Sequence, residues 1–299
     1  MTQDKVTIQK RPALQRYYKS LESRLGYWAF LGGRRHFAYY DHDTYWPFPL
    51  TKALERMEDY LYGTLDLPPG SRVLDSGCGE GFVAIRMASK GLVVEGIDIV
   101  DYHVQGAIRN VERAGYKSTV TISHADYHHL EQFADGSFDG VYVVETLCHS
   151  TDVSRVLSEY YRVLRPAGRL SLLEYEHVGL QQMDKKTIDD MYYVNEVGSM
   201  PALNTFSVGV LASSIRKEGF ENVKETDLSE NARPLLRLFY IVAIIPYFII
   251  SLLGLQKHFA NTVGAVVGWR ADKKGYGRYT SFTATKPSRT GISSNGRAT

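Results

Sequence analysis

Two acids and a run of glycines carry the most legible chemistry in this sequence. Asp75 precedes Gly77, Gly79 and Gly81, three glycines at alternate positions, and a further acid, Asp98, follows. A strand that turns at once into a helix needs unusual or positive φ, which glycine adopts without a Cβ clash. Bare backbone at Gly77 and Gly79 lets a ligand come into van der Waals contact. The following helix offers unpaired N–H groups and a partial positive end. Asp98, at the carboxyl end of the next strand, is placed to accept hydrogen bonds from both hydroxyls of a ribose. This is the chemistry of a nucleotide-type cofactor site. A dinucleotide fingerprint reads G-x-G-x-x-G, with its third glycine packing helix on strand. Here the spacing is G-x-G-x-G, and Phe82 occupies the position of that third glycine. Asp75 would repel a pyrophosphate but suits the cationic ammonium of S-adenosylmethionine. That cofactor is expected, with a nicotinamide-dependent oxidoreductase as the competing reading.

The elements that position these residues follow from hydrophobic patterning. Strands are expected at 72–74, 92–98, 119–123, 138–144, 169–174, 220–228 and 278–285. Helices are expected at 80–90, 102–114 and 153–164. Apolar strands alternating with amphipathic helices predict an α/β fold: a mostly parallel seven-stranded sheet with helices on both faces. Ligands in open α/β sheets sit outside the carboxyl ends of the strands. Three inserts, 17–67, 175–204 and 229–277, are the natural material for a helical lid there. The expected organisation is an unstructured start (1–16), aromatic-rich lid helices (17–67) and a cofactor-binding core (68–175). A C-terminal part of the core with acceptor-pocket inserts (176–286) and a Ser/Gly/Thr-rich unstructured tail (287–299) complete it.

Composition bounds the rest. The chain has 299 residues, 44% hydrophobic, enough for one large domain with inserts. A net charge of +2 and the lack of a basic patch with interleaved aromatics argue against nucleic acid as a partner. The two cysteines, Cys78 and Cys148, exclude a disulfide framework and fit a reducing compartment. The polar start is unlike a secretory signal. The 21 tyrosines suit a pocket for a flat or lipophilic acceptor, although any single one is an ordinary packing residue on composition alone. The nine histidines show no metal-binding spacing, so no catalytic metal is expected. Residues 238–255 carry no charge. By length they just span a bilayer, but Pro246 and a final strand after them favour a pocket lid or an interfacial contact. The expected localisation is cytoplasmic, with membrane association through 238–255 left open. Oligomeric state is not readable.

Three segments resemble a known family. Val73-Leu74-Asp75-Ser76-Gly77-Cys78-Gly79-Glu80-Gly81 is similar to the first motif of class I S-adenosylmethionine-dependent methyltransferases. Phe138-Asp139-Gly140-Val141-Tyr142-Val143-Val144-Glu145-Thr146-Leu147-Cys148-His149 resembles the motif after the fourth strand in the sterol and tocopherol methyltransferase group. Tyr161-Arg162-Val163-Leu164-Arg165-Pro166-Ala167-Gly168 resembles that group's motif before the fifth strand, with Ala167 where glycine is usual. The aromatic region of true sterol methyltransferases has no counterpart in 23–40. The whole layout, with Tyr45-Trp46-Pro47-Phe48-Pro49, looks most like fungal natural-product methyltransferases.

The resemblance implies a Rossmann-like class I methyltransferase fold and a set of roles. Asp75, Gly77 and Gly79, with Cys78 between them, would cradle the methionine end of the cofactor. Asp98 would hold the ribose, Ile99 would pack on the adenine, and Asp126, beside Tyr127, would bond the adenine amino group; a turn acid is the plainer reading of Asp126. Glu145 and His149 fall just past the fourth strand. His149 is the first candidate for a base because its ordinary pKa lies near the working pH; Glu145 is the second. The expected activity is methylation of a small lipophilic molecule in secondary metabolism, in the narrowest form N-methylation of an epipolythiodioxopiperazine-type amide. The alternatives are C-methylation of a sterol or prenyl lipid and a non-catalytic protein of the same fold.

Overall fold

The computed structural model describes residues 11–288. The described residues open with three helices, α1 (Pro12–Lys19), α2 (Leu21–Leu31) and α3 (Leu50–Leu65). The alternating core follows: β1 (Arg72–Ser76), α4 (Phe82–Ser89), β2 (Val93–Asp98), α5 (Asp101–Arg113), β3 (Val120–His124), β4 (Phe138–Val144), α6 (Val153–Val163) and β5 (Leu164–His177). The remainder is α7 (Lys185–Val197), α8 (Val210–Lys217), β6 (Glu221–Asp227), α9 (Ser229–Leu252), α10 (Ala260–Lys273) and β7 (Gly277–Thr285).

The seven strands form one sheet in the order β3-β2-β1-β4-β5-β7-β6. β1 runs parallel to β2 and β4, β2 to β3, and β4 to β5. β7 runs opposite to the other six described strands, pairing β5 antiparallel from Arg169↔Thr285 to His177↔Gly277 and β6 antiparallel on its other edge. The expected α/β sheet is therefore present, and the C-terminal part completes the same sheet as the core. One face buries Val141, Val143, Leu170 and Leu172 under α6 and α8. The other buries Val73, Val94 and Tyr142 under Met57, Leu61 and Leu65 of α3 and Met87 of α4. Alternate residues of each strand reach opposite faces, so both core layers come from the same apolar runs.

Four features differ from the expectation. The stretch 12–16 is helical rather than unstructured. Pro12 occupies the first turn of α1, where its fixed φ suits a helix start, and Leu14 is buried. α3 packs on the sheet as a core layer, whereas α1 and α2 lie over the ligand end of the sheet. α4 begins at Phe82, because Gly81 precedes it in a left-handed conformation (φ 80°). β5 runs on to His177, three residues past its expected end at 174. The expected tail falls mostly outside the described residues, as does the start of the chain. Ala167, where the family resemblance led us to expect glycine, lies in the left-handed region at φ 63°.

Candidate active site

The carboxyl ends of β1, β2, β3 and β4 converge on one pocket. β1 delivers Asp75 and the loop Gly77-Cys78-Gly79, and β2 delivers Asp98 and Ile99. The segment after β3 delivers Asp126 and Tyr127, and the segment after β4 delivers Glu145 and His149. All ten residues singled out in the sequence line this pocket.

The loop is built by backbone bonds. The N–H groups of Gly77 and Cys78 both donate to the Ile97 carbonyl at 2.9 Å, which locks the turn onto β2. Gly77 sits at φ 89°, and a Cβ there would lie 2.5 Å from the Thr146 hydroxyl oxygen. Only glycine satisfies both constraints. Gly79 donates its N–H to Asp98 Oδ2 at 2.9 Å, and Val100 donates to Oδ1 at 2.8 Å. Burial opposes ionisation of Asp98, but His103 and these two amides outweigh it and hold the carboxyl below its ordinary range. Asp75 is the opposite case. Burial pushes its carboxyl up to about 7, Tyr142 acts against that rise, and the nearby charge of Asp98 adds to it. Asp75 Oδ2 is buried with no hydrogen-bond partner.

Asp126 accepts from the N–H and Nδ1 of His128 at 2.9 and 2.6 Å, so part of its carboxylate closes a turn. Tyr127 donates its hydroxyl to the Thr146 carbonyl. α1 closes the pocket from above. Gln15 donates to the Ile99 carbonyl at 2.8 Å, and Arg11 donates to the His149 carbonyl at 2.6 Å.

The two candidate bases have different surroundings. His149 is buried, and burial lowers its pKa to about 4. Its Nδ1–H donates to the Ser199 carbonyl at 2.8 Å, which leaves Nε2 to accept from the Tyr18 hydroxyl at 2.9 Å. Both ring nitrogens are therefore engaged. Glu145 follows β4 in a left-handed conformation, φ 54°. It accepts from the Phe37 N–H at 2.6 Å, from the Tyr279 hydroxyl at 2.8 Å and from the Tyr175 hydroxyl. Burial raises its pKa against these three donors.

A second, larger cavity of about 610 Å³ adjoins the first, walled by α2, α7, α9, α10 and the ends of β5 and β7. Its lining is mostly apolar and includes Met183, Met191 and Met200, side chains that adapt to irregular shapes. Its size is that of a small-molecule site. Arg35, His36 and Glu145 border both cavities; His149 borders only the first. Tyr175, Tyr279 and His177 supply further polar groups in the larger cavity. His177 Nδ1 bonds its neighbour's carbonyl, Val178 O, at 2.6 Å, and its Nε2 is buried without a partner. Sequence reasoning missed these three. Their signal was the alternation of Tyr175 and His177 past the expected end of β5, with Tyr279 directly across the ladder from Tyr175.

The comparisons with known proteins agree with this architecture. The Methyltransferase domain family matches residues 74–172. An S-adenosyl-L-methionine-dependent Diels-Alderase of Talaromyces variabilis is 36% identical over 277 residues, 91% of this chain and 94% of that protein. The methyltransferase GfsG of Streptomyces halstedii is 31% identical over 253 residues, 82% of this chain and 87% of that one. The crystal structure of the [4+2]-cyclase SpnF shares the fold, with a TM-score of 0.72 and 24% identity over 95% of this chain and 98% of that one. The first pocket fits S-adenosylmethionine on its own chemistry. An unpartnered buried carboxylate oxygen awaits a cation, a glycine loop leaves no room for side chains, and a low-pKa acid stands at the end of β2. The chain belongs to the S-adenosylmethionine-dependent methyltransferase family of class I fold, alongside natural-product enzymes.

Proposed function

We propose that this protein is a cofactor-dependent ring-forming enzyme, which closes a [4+2] cycloaddition within a small lipophilic natural product held in the 610 Å³ cavity. The observation that carries this reading is the border between the two cavities. Arg35 has no lone pair to offer. His36 has both nitrogens engaged, with the Phe37 carbonyl and Glu58. The Glu145 oxygens already accept three hydrogen bonds. Among the described residues, none of the three at this border offers an uncommitted base. A cycloaddition needs none: three π bonds become two carbon–carbon σ bonds and one π bond, and no atom or proton is gained or lost. The 36% identical Talaromyces relative carries that activity in its name.

In this reading the chain's residues bind and orient. Asp75, Gly77, Cys78 and Gly79 hold the amino-acid end of S-adenosylmethionine, Asp98 the ribose, and Ile99, Asp126 and Tyr127 the adenine. When bound, the cofactor supplies a fixed positive charge and, in a methyl-transfer reaction, the methyl group. The apolar wall folds the substrate chain so that its reacting ends meet, which replaces an entropic barrier by binding. The polar end, Glu145 with Tyr175, Tyr279 and His177, orients a heteroatom of the substrate. A synthetic linear polyene with a tethered, carbonyl-conjugated alkene tests this. Turnover should persist when the cofactor is replaced by sinefungin, which is cationic and cannot donate methyl. Turnover that needs S-adenosylmethionine itself contradicts it.

Methyl transfer to a small lipophilic acceptor is the second reading, favoured by the intact Asp75 loop and the Streptomyces relative. His177 Nε2, not His149, would then be the available base. Within that reading, amide N-methylation and C-methylation of a sterol or prenyl lipid are separate outcomes of the same assay.

A further inference from the structure

α9 is apolar on two sides. One side, with Leu236, Phe239, Ala243 and Pro246, lines the larger cavity. The other carries Ile241, Ile245, Phe248 and Leu252, which are 54%, 71%, 69% and 78% exposed. These positions recur at helical spacing and form one stripe. Across α9 as a whole the mean hydropathy of the most apolar window is 2.2, yet only 17% of that window is buried. Trp28 of α2 and Tyr45, Trp46 and Phe48 of the following loop are also exposed. An apolar surface of this extent is uncommon on a protein that contacts only water.

The polar surroundings identify what covers it. Between Glu230 and Asp272 the chain carries Arg233, Arg237, Lys257 and Arg270 and no carboxylate. Arg233 pairs with Asp272. Arg237 stacks on Tyr45 at 4.2 Å and Arg270 on Tyr247 at 5.3 Å, so these cations sit beside rings at the edge of the stripe. Cations and amphipathic rings flanking an apolar stripe are the pattern of a helix lying in a lipid interface. A second copy of the chain is a poorer occupant, because a two-fold contact sets a patch against itself. It would bring Arg237, Lys257 and Arg270 together, while the hairpin's two carboxylates, Glu230 and Asp272, are already engaged by Arg233. Nor does α9 pass through a bilayer: β6 before it and β7 after α10 pair in one sheet, and α10, at 14 residues, is too short to carry the chain back across.

We infer that the outer face of α9, with Trp28 and the loop at 45–48, docks on an anionic lipid surface, and that the larger cavity fills from that surface. Leu25, Phe30 and Val242 both line the cavity and stand exposed, so its mouth opens onto the docking face. Docking is independent of the reaction; the loading route rests on the lipophilic substrate proposed above.

Co-flotation of the full chain, loaded with S-adenosylhomocysteine, with phosphatidylcholine vesicles containing or lacking phosphatidylserine tests the docking. The expected result is binding to the anionic vesicles that added salt weakens but does not abolish. The triple variant Ile245→Ser/Phe248→Ser/Leu252→Ser should bind roughly tenfold less or weaker still, with its melting temperature and homocysteine-analogue affinity retained. Lys257→Glu should lose binding to anionic vesicles by about fivefold. Trp28→Ser should weaken binding independently of the helix. The inference fails if the native chain stays unbound with both vesicles, or if the triple serine variant floats as the native chain does. It fails equally if sedimentation shows a dimer that the triple variant splits, which assigns the face to a second copy. None of these readouts involves turnover, so failure here leaves the ring-closure test untouched, and the reverse holds.

Discussion

Asp75 is a carboxylate kept where water cannot solvate it, with a pKa of about 7 and one oxygen unpartnered. A ligand ammonium favours the ionised form, so binding and deprotonation are linked. Below pH 7 the ligand must displace a proton; above it the carboxylate is already formed. The affinity for S-adenosylhomocysteine should therefore rise as pH is raised from about 5.5 to 7.5, by up to about tenfold per unit. Asp75→Asn should bind more weakly and lose most of that slope, as calorimetric titration will read. Asp98→Ala should weaken the same binding by about tenfold or more, because it removes the anchor of the Gly79 and Val100 amides and, in the role proposed above, the ribose acceptor. An unchanged dissociation constant would remove the ribose role. His149 and His177 should separate. His177→Gln should raise KM for the substrate several-fold with cofactor affinity unchanged. His149→Ala should disturb the contacts to Ser199 and Tyr18, and so cofactor binding, more than substrate KM.

At the scale of elements, the irregular start of β5, where its register against β4 shifts, holds Ala167 at φ 63°, a conformation that costs a residue with a Cβ about 1–2 kcal/mol. Ala167→Gly should raise stability by about 1 kcal/mol net of the entropy glycine brings, a shift of about 2 °C in Tm for a chain of this size. Glu145 ties four segments at one point: its own position after β4, Phe37 before α3, Tyr175 on β5 and Tyr279 on β7. Glu145→Ala leaves those donors buried and unpaired and should cost about 2–4 kcal/mol, measured by denaturant unfolding. The legible parts of the sequence were those where the signal is local. Apolar strands alternating with amphipathic helices gave the sheet, and Asp75 with its glycines gave the cofactor loop. The first five residues of α1 were missed because the helix is only eight residues long and mostly polar, with Leu14 as its one buried residue, so its amphipathic pattern spans too few positions to stand out. Tyr175, His177 and Tyr279 were missed because a cavity wall assembled from β5, β7 and α9 exists only after tertiary packing. His149 was legible as a residue near the site, but the Ser199 and Tyr18 contacts that occupy both of its nitrogens were not, since they come from residues remote in sequence.

At the scale of the whole molecule, a compact pocket of acids and glycines built by the parallel half of the sheet adjoins a larger apolar chamber built by helices and the antiparallel edge. Among the described residues, only Arg35, His36 and Glu145 line both. On the function proposed above, that division separates holding a cofactor from folding a substrate, and one fold can host both methyl transfer and ring closure. A reaction that moves no proton suits a border whose polar groups are already paired. The most direct measurement is the mass of the product formed from a linear polyene in the presence of methyl-deuterated S-adenosylmethionine. Ring closure predicts a product isomeric with the substrate, carrying no deuterium, with no S-adenosylhomocysteine released. A product heavier by one labelled methyl group in place of a hydrogen, with an equal amount of S-adenosylhomocysteine, would contradict it and make the chain a methyltransferase in activity as well as in fold.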